Sequence, residues 1–504
     1  MISTLRLATS GVAKFGASLT PTATRCLSTT SLPELPPCDF KPDQYAGPSM
    51  EESVRLRSQH LFPSTHGFAY YKQPLMIHQG HMQWMWDSTG KRYLDLFGGI
   101  VTVSVGHCHP KVVAAAEAQM RKLWHTTVIY RYPTLDQYVE KLTKKMPGDL
   151  KVVYMVNSGS EANDLAMLLA RLHTGCYDII GLRSGYHGTS PNLMGLTALS
   201  TWHYNLPSGF GIHQTVNPDP YRGVWGGKHC RDSPCQSNRS CDCASANSCT
   251  ASDQYVDQLE DVLRFCCPKG RVGGMFVESI QGVGGTIQFP RTFLQRAFKT
   301  IRQHGGVCIS DEVQTGFGRT GEHFWGFEGH GVVPDIVTMA KGIGNGFPMA
   351  AVVTTPEIAK NLSAATHFNT FGGNPVACAV GSAVLDVIEE DKCQARSADV
   401  GTYFIQELAK LRDSYDIVGD VRGKGLMIGM EMVHDKASRK PLAASDMLDI
   451  WETTKELGLL VGKGGYYGNV FRIKPPMCIS RADVDYSIHV FRIAIDKFLR
   501  TRKA

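Results

Sequence analysis

The chain has 504 residues, 43% hydrophobic and 19% charged, proportions that fit a large buried core and two or three domains rather than one small one. No stretch approaches the roughly 18 uninterrupted apolar residues of a membrane span. The formal net charge of +6 gives no electrostatic case for binding nucleic acid. Residues 1–30 carry Arg6, Lys14 and Arg25 among many Ser, Thr and Ala, and no acid precedes Glu34. Lacking a continuous apolar core, this segment reads as a mitochondrial transit peptide, with Arg25-Cys26-Leu27-Ser28 as a matrix-protease site cut after Leu27. A tail with no address is the plainer alternative. Removal of its three positive charges leaves the mature chain close to neutral.

A Pro-rich linker follows, and the chain turns helical toward residue 60. Trp84–Asp87, then Ser88-Thr89-Gly90, then Arg92–Leu96 predict a hairpin. In Gly106-His107-Cys108-His109-Pro110 adjacent ligand types point apart and no second cluster adds ligands, so no metal site is expected. Val112–Leu123 has helical periodicity.

Lys151–Val156 predicts a core strand, followed by Asn157-Ser158-Gly159-Ser160-Glu161-Ala162. Small and hydroxyl residues between a strand and a helix can cup an anion with backbone N–H groups. The alternative is an ordinary capping box of Ser158 and Glu161. Asp178–Leu182 predicts another strand, leading to Tyr186 at a glycine-flanked exit. Such an aromatic either stacks on a flat ring or decorates a surface turn.

Of 15 cysteines, Cys230, Cys235, Cys241, Cys243 and Cys249 crowd into one stretch. Their spacing matches no zinc template, and residues 202–267 are expected to form a polar, strand-poor insert with a cysteine-rich solvent loop; bound metal and redox sensitivity are the alternatives. Met275–Glu278 predicts a strand ending in an acid, which is either a site residue or a carboxylate with a structural partner.

Gly306–Ser310 is a short apolar run closing on Asp311 and Glu312, and Asp335–Ala340 closes on Lys341 and the turn GIGNG. Both read as buried parallel strands whose C-terminal ends carry charged groups into a crevice. An acid that keeps a pyridine nitrogen protonated and a lysine that attacks a carbonyl are what pyridoxal phosphate requires. A capping acid and an exposed loop lysine are the plain alternative. Further on, Pro348–Thr354 predicts a strand, Ala377–Glu390 a helix, and Arg472 before paired prolines a rigid carboxylate fork.

The run DEVQTGFGRTG, then P-D-I, then a lysine followed by glycines, closely resembles the lysine signature of the class III (omega) aminotransferases. The resemblance extends from about residue 60 to 500, leaving out the cysteine loop. It implies the fold type I architecture of pyridoxal-phosphate enzymes: a large α/β domain whose mostly parallel sheet lies between helices (residues 98–390), and a small α/β domain from both chain ends (31–97 and 391–504). By the same resemblance Lys341 is the Schiff-base lysine and Asp311 pairs with the pyridine nitrogen. Gly159 and Ser160 hold the phosphate, Tyr186 and Val313 cover the two ring faces, and Gln314 reaches the ring hydroxyl. His187 lines the site, and Glu278 lies near the ring hydroxyl or in the Asp311 network, with Ser279 where the family usually has proline. Thr370, in HFNTFGGNP, reaches the phosphate of a neighbouring subunit, which implies a homodimer or a dimer of dimers. Arg472 reads the substrate carboxylate.

Two departures narrow the substrates. Relatives that accept a distal carboxylate have arginine where Thr189 stands, and ornithine and GABA aminotransferases have glutamate where Val283 stands. The resemblance therefore implies transfer from alanine, and from β-amino acids, to glyoxylate or another small 2-oxo acid in the mitochondrial matrix. An aminomutase or amine phospholyase would share the cofactor residues, and an inactive scaffold using its cysteine loop is the reading from another class.

Overall fold

The computed structural model describes residues 34–62, 71–240 and 249–503. The expected transit peptide, Cys241 and Cys243 lie outside the described residues. Glu34–Ala504 forms one compact unit. Among the described residues no helix is long and apolar enough to cross a membrane.

Helix α1, Met50–His60, buries none of its residues. The N-terminal strands β1 (Ile77–His81), β2 (Trp84–Asp87) and β3 (Arg92–Asp95) form an antiparallel sheet, which includes the expected hairpin. Asp87 closes its turn by accepting from Thr89 N at 2.9 Å and from Tyr93 Oη at 2.8 Å. Helix α2, Pro110–Met120, follows the GHCHP turn. There His107 and His109 go to different acids, Asp95 and Asp391.

The central sheet has seven strands in the order β4-β10-β9-β8-β7-β5-β6. In chain order these are β4 (Val152–Val156), β5 (Ile179–Leu182), β6 (Ile212–Thr215), β7 (Gly274–Glu278), β8 (Val307–Asp311), β9 (Ile336–Met339) and β10 (Ala350–Thr354). Only β10 runs antiparallel to its neighbours. Both faces are covered, which is why these strands read as unbroken apolar runs. The pleat divides them: Phe276 and Ile309 pack with Leu165 and Leu169 of helix α3 (Gly159–Thr174). Met275, Val277 and Cys308 pack on the other face with Val256 and Leu263 of α4 (Thr250–Cys266) and Phe298 of α5 (Phe293–Gln303).

Beyond helices α6 (Pro375–Glu390) and α7 (Cys393–Ser414), strands β11 (Val418–Lys424), β12 (Met427–Met432), β14 (Gly462–Gly464) and β15 (Val470–Ile473) make a third sheet. Strand β13, Leu459–Leu460, pairs parallel with β3, so the two chain ends share a sheet.

The stretch 202–267 differs from expectation. It contains the edge strand β6 and the 17-residue helix α4, whose apolar residues complete one face of the central sheet. Nor is it a solvent loop: Cys230 and Cys235 are buried. Buried Arg231 forms a fork with Asp420 of β11, at 2.7 and 2.8 Å, that clamps the insert to the third sheet. Polar composition misled here because the polar groups satisfy one another inside rather than facing water.

Candidate active site

Three parallel strands end side by side, and each presents a functional group. In register, Glu278 of β7 lies opposite Asp311 of β8, and Asp311 opposite Thr338 of β9, three residues before Lys341.

Asp311 is buried, and its carboxylate takes three hydrogen bonds from the protein. Oδ2 accepts from His187 Nδ1 at 2.8 Å and from Asn163 Nδ2 at 2.8 Å, while Oδ1 accepts from Val313 N at 3.1 Å. Asn163 Nδ2 also reaches His187 O at 2.9 Å. Burial pushes the His187 pKa down, but the bond to Asp311 and its charge more than offset this, and the net shift is upward. The imidazole is thus biased toward its charged form beside the Asp311 carboxylate.

Lys341 occupies a left-handed backbone position, φ +51, a conformation that costs a non-glycine residue about 1–2 kcal/mol. Its turn is pinned by Ser104 Oγ donating to Gly342 O at 2.8 Å and by Asn345 Oδ1 accepting from Val105 N at 3.0 Å. Burial lowers the Lys341 pKa; Asp311 and Glu278 oppose that shift, Arg472 adds to it, and the net direction is down. This is the direction a nucleophilic amine needs.

Glu278 is buried, accepting from Tyr186 N at 3.1 Å and Gly282 N at 2.6 Å. Desolvation holds its pKa above the ordinary carboxylate value. Through these two bonds it fixes the Tyr186 exit and the loop after β7. Tyr186 is partly buried and meets Trp202 edge-on at 5.1 Å and 72°.

At the start of α3, Ser158 has extended backbone and caps Glu161 N at 3.2 Å. The expected reciprocal half of the capping box is absent, since the Glu161 carboxylate accepts from Asn157 N at 3.0 Å instead. Gly159 and Ser160 stand in the first helical turn, where amide groups have no intrahelical acceptor. A Cβ on Gly159 would lie 3.4 Å from the Val313 methyls, so glycine lets the helix start come close to the β8 exit.

Arg472 of β15 is buried, its guanidinium 5.3 Å from the Phe97 ring centroid. Its Nη2 donates to Gln314 Oε1 at 3.4 Å, the same oxygen that accepts from Lys474 Nζ at 3.0 Å. Thr370 is exposed, beside Asn369, which joins Asn157 and Glu161 at 3.0 and 3.1 Å.

The structure therefore gathers Asp311, His187, Glu278, Tyr186, Val313, Gln314, Lys341 and Arg472 about linked strand ends, and leaves Thr370 on the outer surface. Sequence reasoning missed Asn163, Asn345 and Lys474. Asn163 lies four residues after Gly159, on the same helix face, and Lys474 two after Arg472, just past the end of β15; those spacings were the available signals.

The model of the family "Aminotransferase class-III" matches residues 68–495. The chain is 54% identical to a Homo sapiens protein named alanine–glyoxylate aminotransferase 2, mitochondrial, across 94% of this chain and 92% of that protein. It is 44% identical to an Arabidopsis thaliana protein named as homolog 2 of that enzyme, also mitochondrial, across 94% of this chain and 96% of the other. Among solved structures, a Bacillus anthracis aminotransferase superposes with TM-score 0.79 at 28% identity, covering 90% of this chain and 100% of the other. An Arthrobacter phospholyase in complex with phosphoethanolamine gives TM-score 0.78 at 30% identity, covering 88% and 99%. A family match over most of the chain, together with strand ends that pair a buried acid with a desolvated lysine, shows that this chain belongs to the class III aminotransferases.

Proposed function

We propose that this chain is a pyridoxal-phosphate-dependent aminotransferase that moves the amino group of alanine to glyoxylate, with β-amino acids as further donors and pyruvate-like 2-oxo acids as further acceptors. The observation that carries the reading is the placement of Lys341, desolvated and lowered in pKa, one strand away from Asp311, whose charge His187 and Asn163 secure. The names of the human and plant relatives support the substrate pair. So do Thr189 and Val283, which leave no arginine for a distal carboxylate and no glutamate to neutralise Arg472.

The residues fit the cofactor. Uncommitted amides of Gly159 and Ser160 suit its phosphate, and Tyr186 and Val313 suit a flat ring between them. Bound there, pyridoxal phosphate supplies an electron sink for the carbanion of the donor. Asp311 would hold a proton on the pyridine nitrogen, with the neighbouring His187 orienting its carboxylate. Lys341 Nζ would hold the cofactor at rest; displaced by the donor amine, it would move the proton of the donor carbon to the cofactor and, in the second half-reaction, one back to the acceptor carbon. Arg472 orients each substrate through its carboxylate. Gln314 would face the ring hydroxyl, while Glu278 fixes the loops that carry Tyr186 and Gly282.

Thr370 serves the site of a second copy, so the working unit is a homodimer or a dimer of dimers. Residues 98–390 make the large domain, and 31–97 with 391–504 the small one. The acid-free basic N-terminus and the relatives' names support a place in the mitochondrial matrix. Pyruvate formation from alanine and glyoxylate tests the substrate pair. Glutamate as a far better donor than alanine would contradict the argument from Thr189. The Arthrobacter phospholyase marks the second reading: steady product from one amine with no oxo acid present would favour it, or an aminomutase.

A further inference from the structure

Lys474 follows Arg472 by two residues, just past the end of β15, and both side chains reach the same oxygen, Gln314 Oε1. Lys474 is fully buried, at 0% exposure. A buried lysine ordinarily has an acid partner. This one donates to two neutral oxygens, Gln314 Oε1 at 3.0 Å and Gly282 O at 3.4 Å. The nearby acid Glu278 is already engaged by the Tyr186 and Gly282 amides. Burial, and after it the charge of Arg472, push the Lys474 ammonium well below the usual lysine range; Arg319 and Lys341 add to the effect, and only Glu278 opposes it. The shift is toward the neutral amine, whose two N–H donors would match the two oxygens.

The Gln314 amide has little freedom left. A Cβ on Gly282 would overlap it, so the amide lies flat against the glycine backbone and its remaining motion is a flip about its own axis. In the flipped state its NH2 group would face both the Lys474 N–H and the Arg472 guanidinium.

We propose that Lys474 is a positioning residue that locks the Gln314 amide with its oxygen inward and its NH2 toward the cofactor's ring hydroxyl, leaving Arg472 for the substrate carboxylate. The inference rests on the roles of Gln314 and Arg472 in the proposed function. The contact from Arg472 is the longer of the two, 3.4 against 3.0 Å. When Arg472 turns to a substrate, Lys474 still holds the amide. With its Nζ committed to Gln314 Oε1 and Gly282 O, Lys474 does so without competing for the carboxylate.

The test uses the holoenzyme and the variants Lys474→Met, Gln314→Leu and the double. For each, the near-visible absorbance of bound cofactor is titrated against pH, with and without saturating acetate as a non-reacting carboxylate, and the melting temperature is recorded. Lys474→Met is expected to shift the apparent pKa of the band by about one unit, and by more in acetate, with no fall in melting temperature. The double variant should shift no further than Gln314→Leu alone. A Lys474→Met band that titrates as wild type would overturn the inference, as would shifts that add in the double or a loss of melting temperature with an unchanged titration. A wild-type band that survives Lys341→Ala would instead overturn the cofactor reading beneath it.

Discussion

At the scale of single residues, charge in the site is set by neighbours rather than by residue type. Asp311 takes two hydrogen bonds on one oxygen from His187 and Asn163, so Asp311→Asn keeps the shape and removes the charge that the proposed mechanism uses. We expect kcat to fall by about 10²–10³ with cofactor still bound, measured by steady-state kinetics on loaded enzyme. Arg472→Lys exchanges a planar fork for a point charge. KM for the oxo acid should rise about 10-fold or more while the cofactor band is unchanged. Lys474 gives a pH signature in stability. Its folded pKa is lowered well below 10.5, so between the two values the unfolded chain binds more protons and stability rises with pH. The handicap vanishes above 10.5 and is fully felt below the folded pKa. Denaturant midpoints across pH should therefore rise toward alkaline pH more steeply in wild type than in Lys474→Met.

Among the elements, the insert shows what sequence patterns can and cannot deliver. Strands β7, β8 and β9 were legible because burial on both faces writes itself as an apolar run, and because a strand that ends in an acid or a lysine has an obvious edge. The motif from Asp311 to Lys341 carried the cofactor chemistry for the same reason. Residues 216–240 were not legible. Their order comes from Arg231 reaching Asp420, 189 residues further along, and no local periodicity encodes such a partner. Asp420 also accepts from Arg422 Nη1 at 3.0 Å, and Arg422 pairs with Glu431 at 2.7 Å. Asp420→Asn leaves Arg231 buried without its counter-charge and should cost about 3–5 kcal/mol of stability, read by chemical denaturation. Burial pushes the Asp420 pKa up, but Arg231 and Arg422 outweigh it and the net shift is below 3.8. Its contribution is complete above that pH and is lost as the pH falls below it. The variant should accordingly lose part of the acid-side slope.

For the whole molecule, the surface around Thr370 argues for a partner. Ile129, Tyr130 and Phe371 are 73%, 69% and 61% exposed in a single chain, Tyr132 ties the first stretch to the second by donating to Gly373 O at 2.6 Å, and exposed apolar side chains brought together in this way mark an interaction face. Sedimentation of the purified protein should give at least a dimer. Thr370→Val should weaken cofactor binding without dissociating it. The proposal of a shared site rests on a resemblance, since an exposed threonine has no physical signature of its own. The measurement that bears most directly on the central claim is the absorbance of the purified protein alone, after alanine, and then after glyoxylate. A near-visible cofactor band that falls with alanine, returns with glyoxylate and is missing in Lys341→Ala is the predicted result. A band indifferent to alanine would contradict the substrate assignment, and a protein that forms no such band with added cofactor would contradict the cofactor chemistry itself.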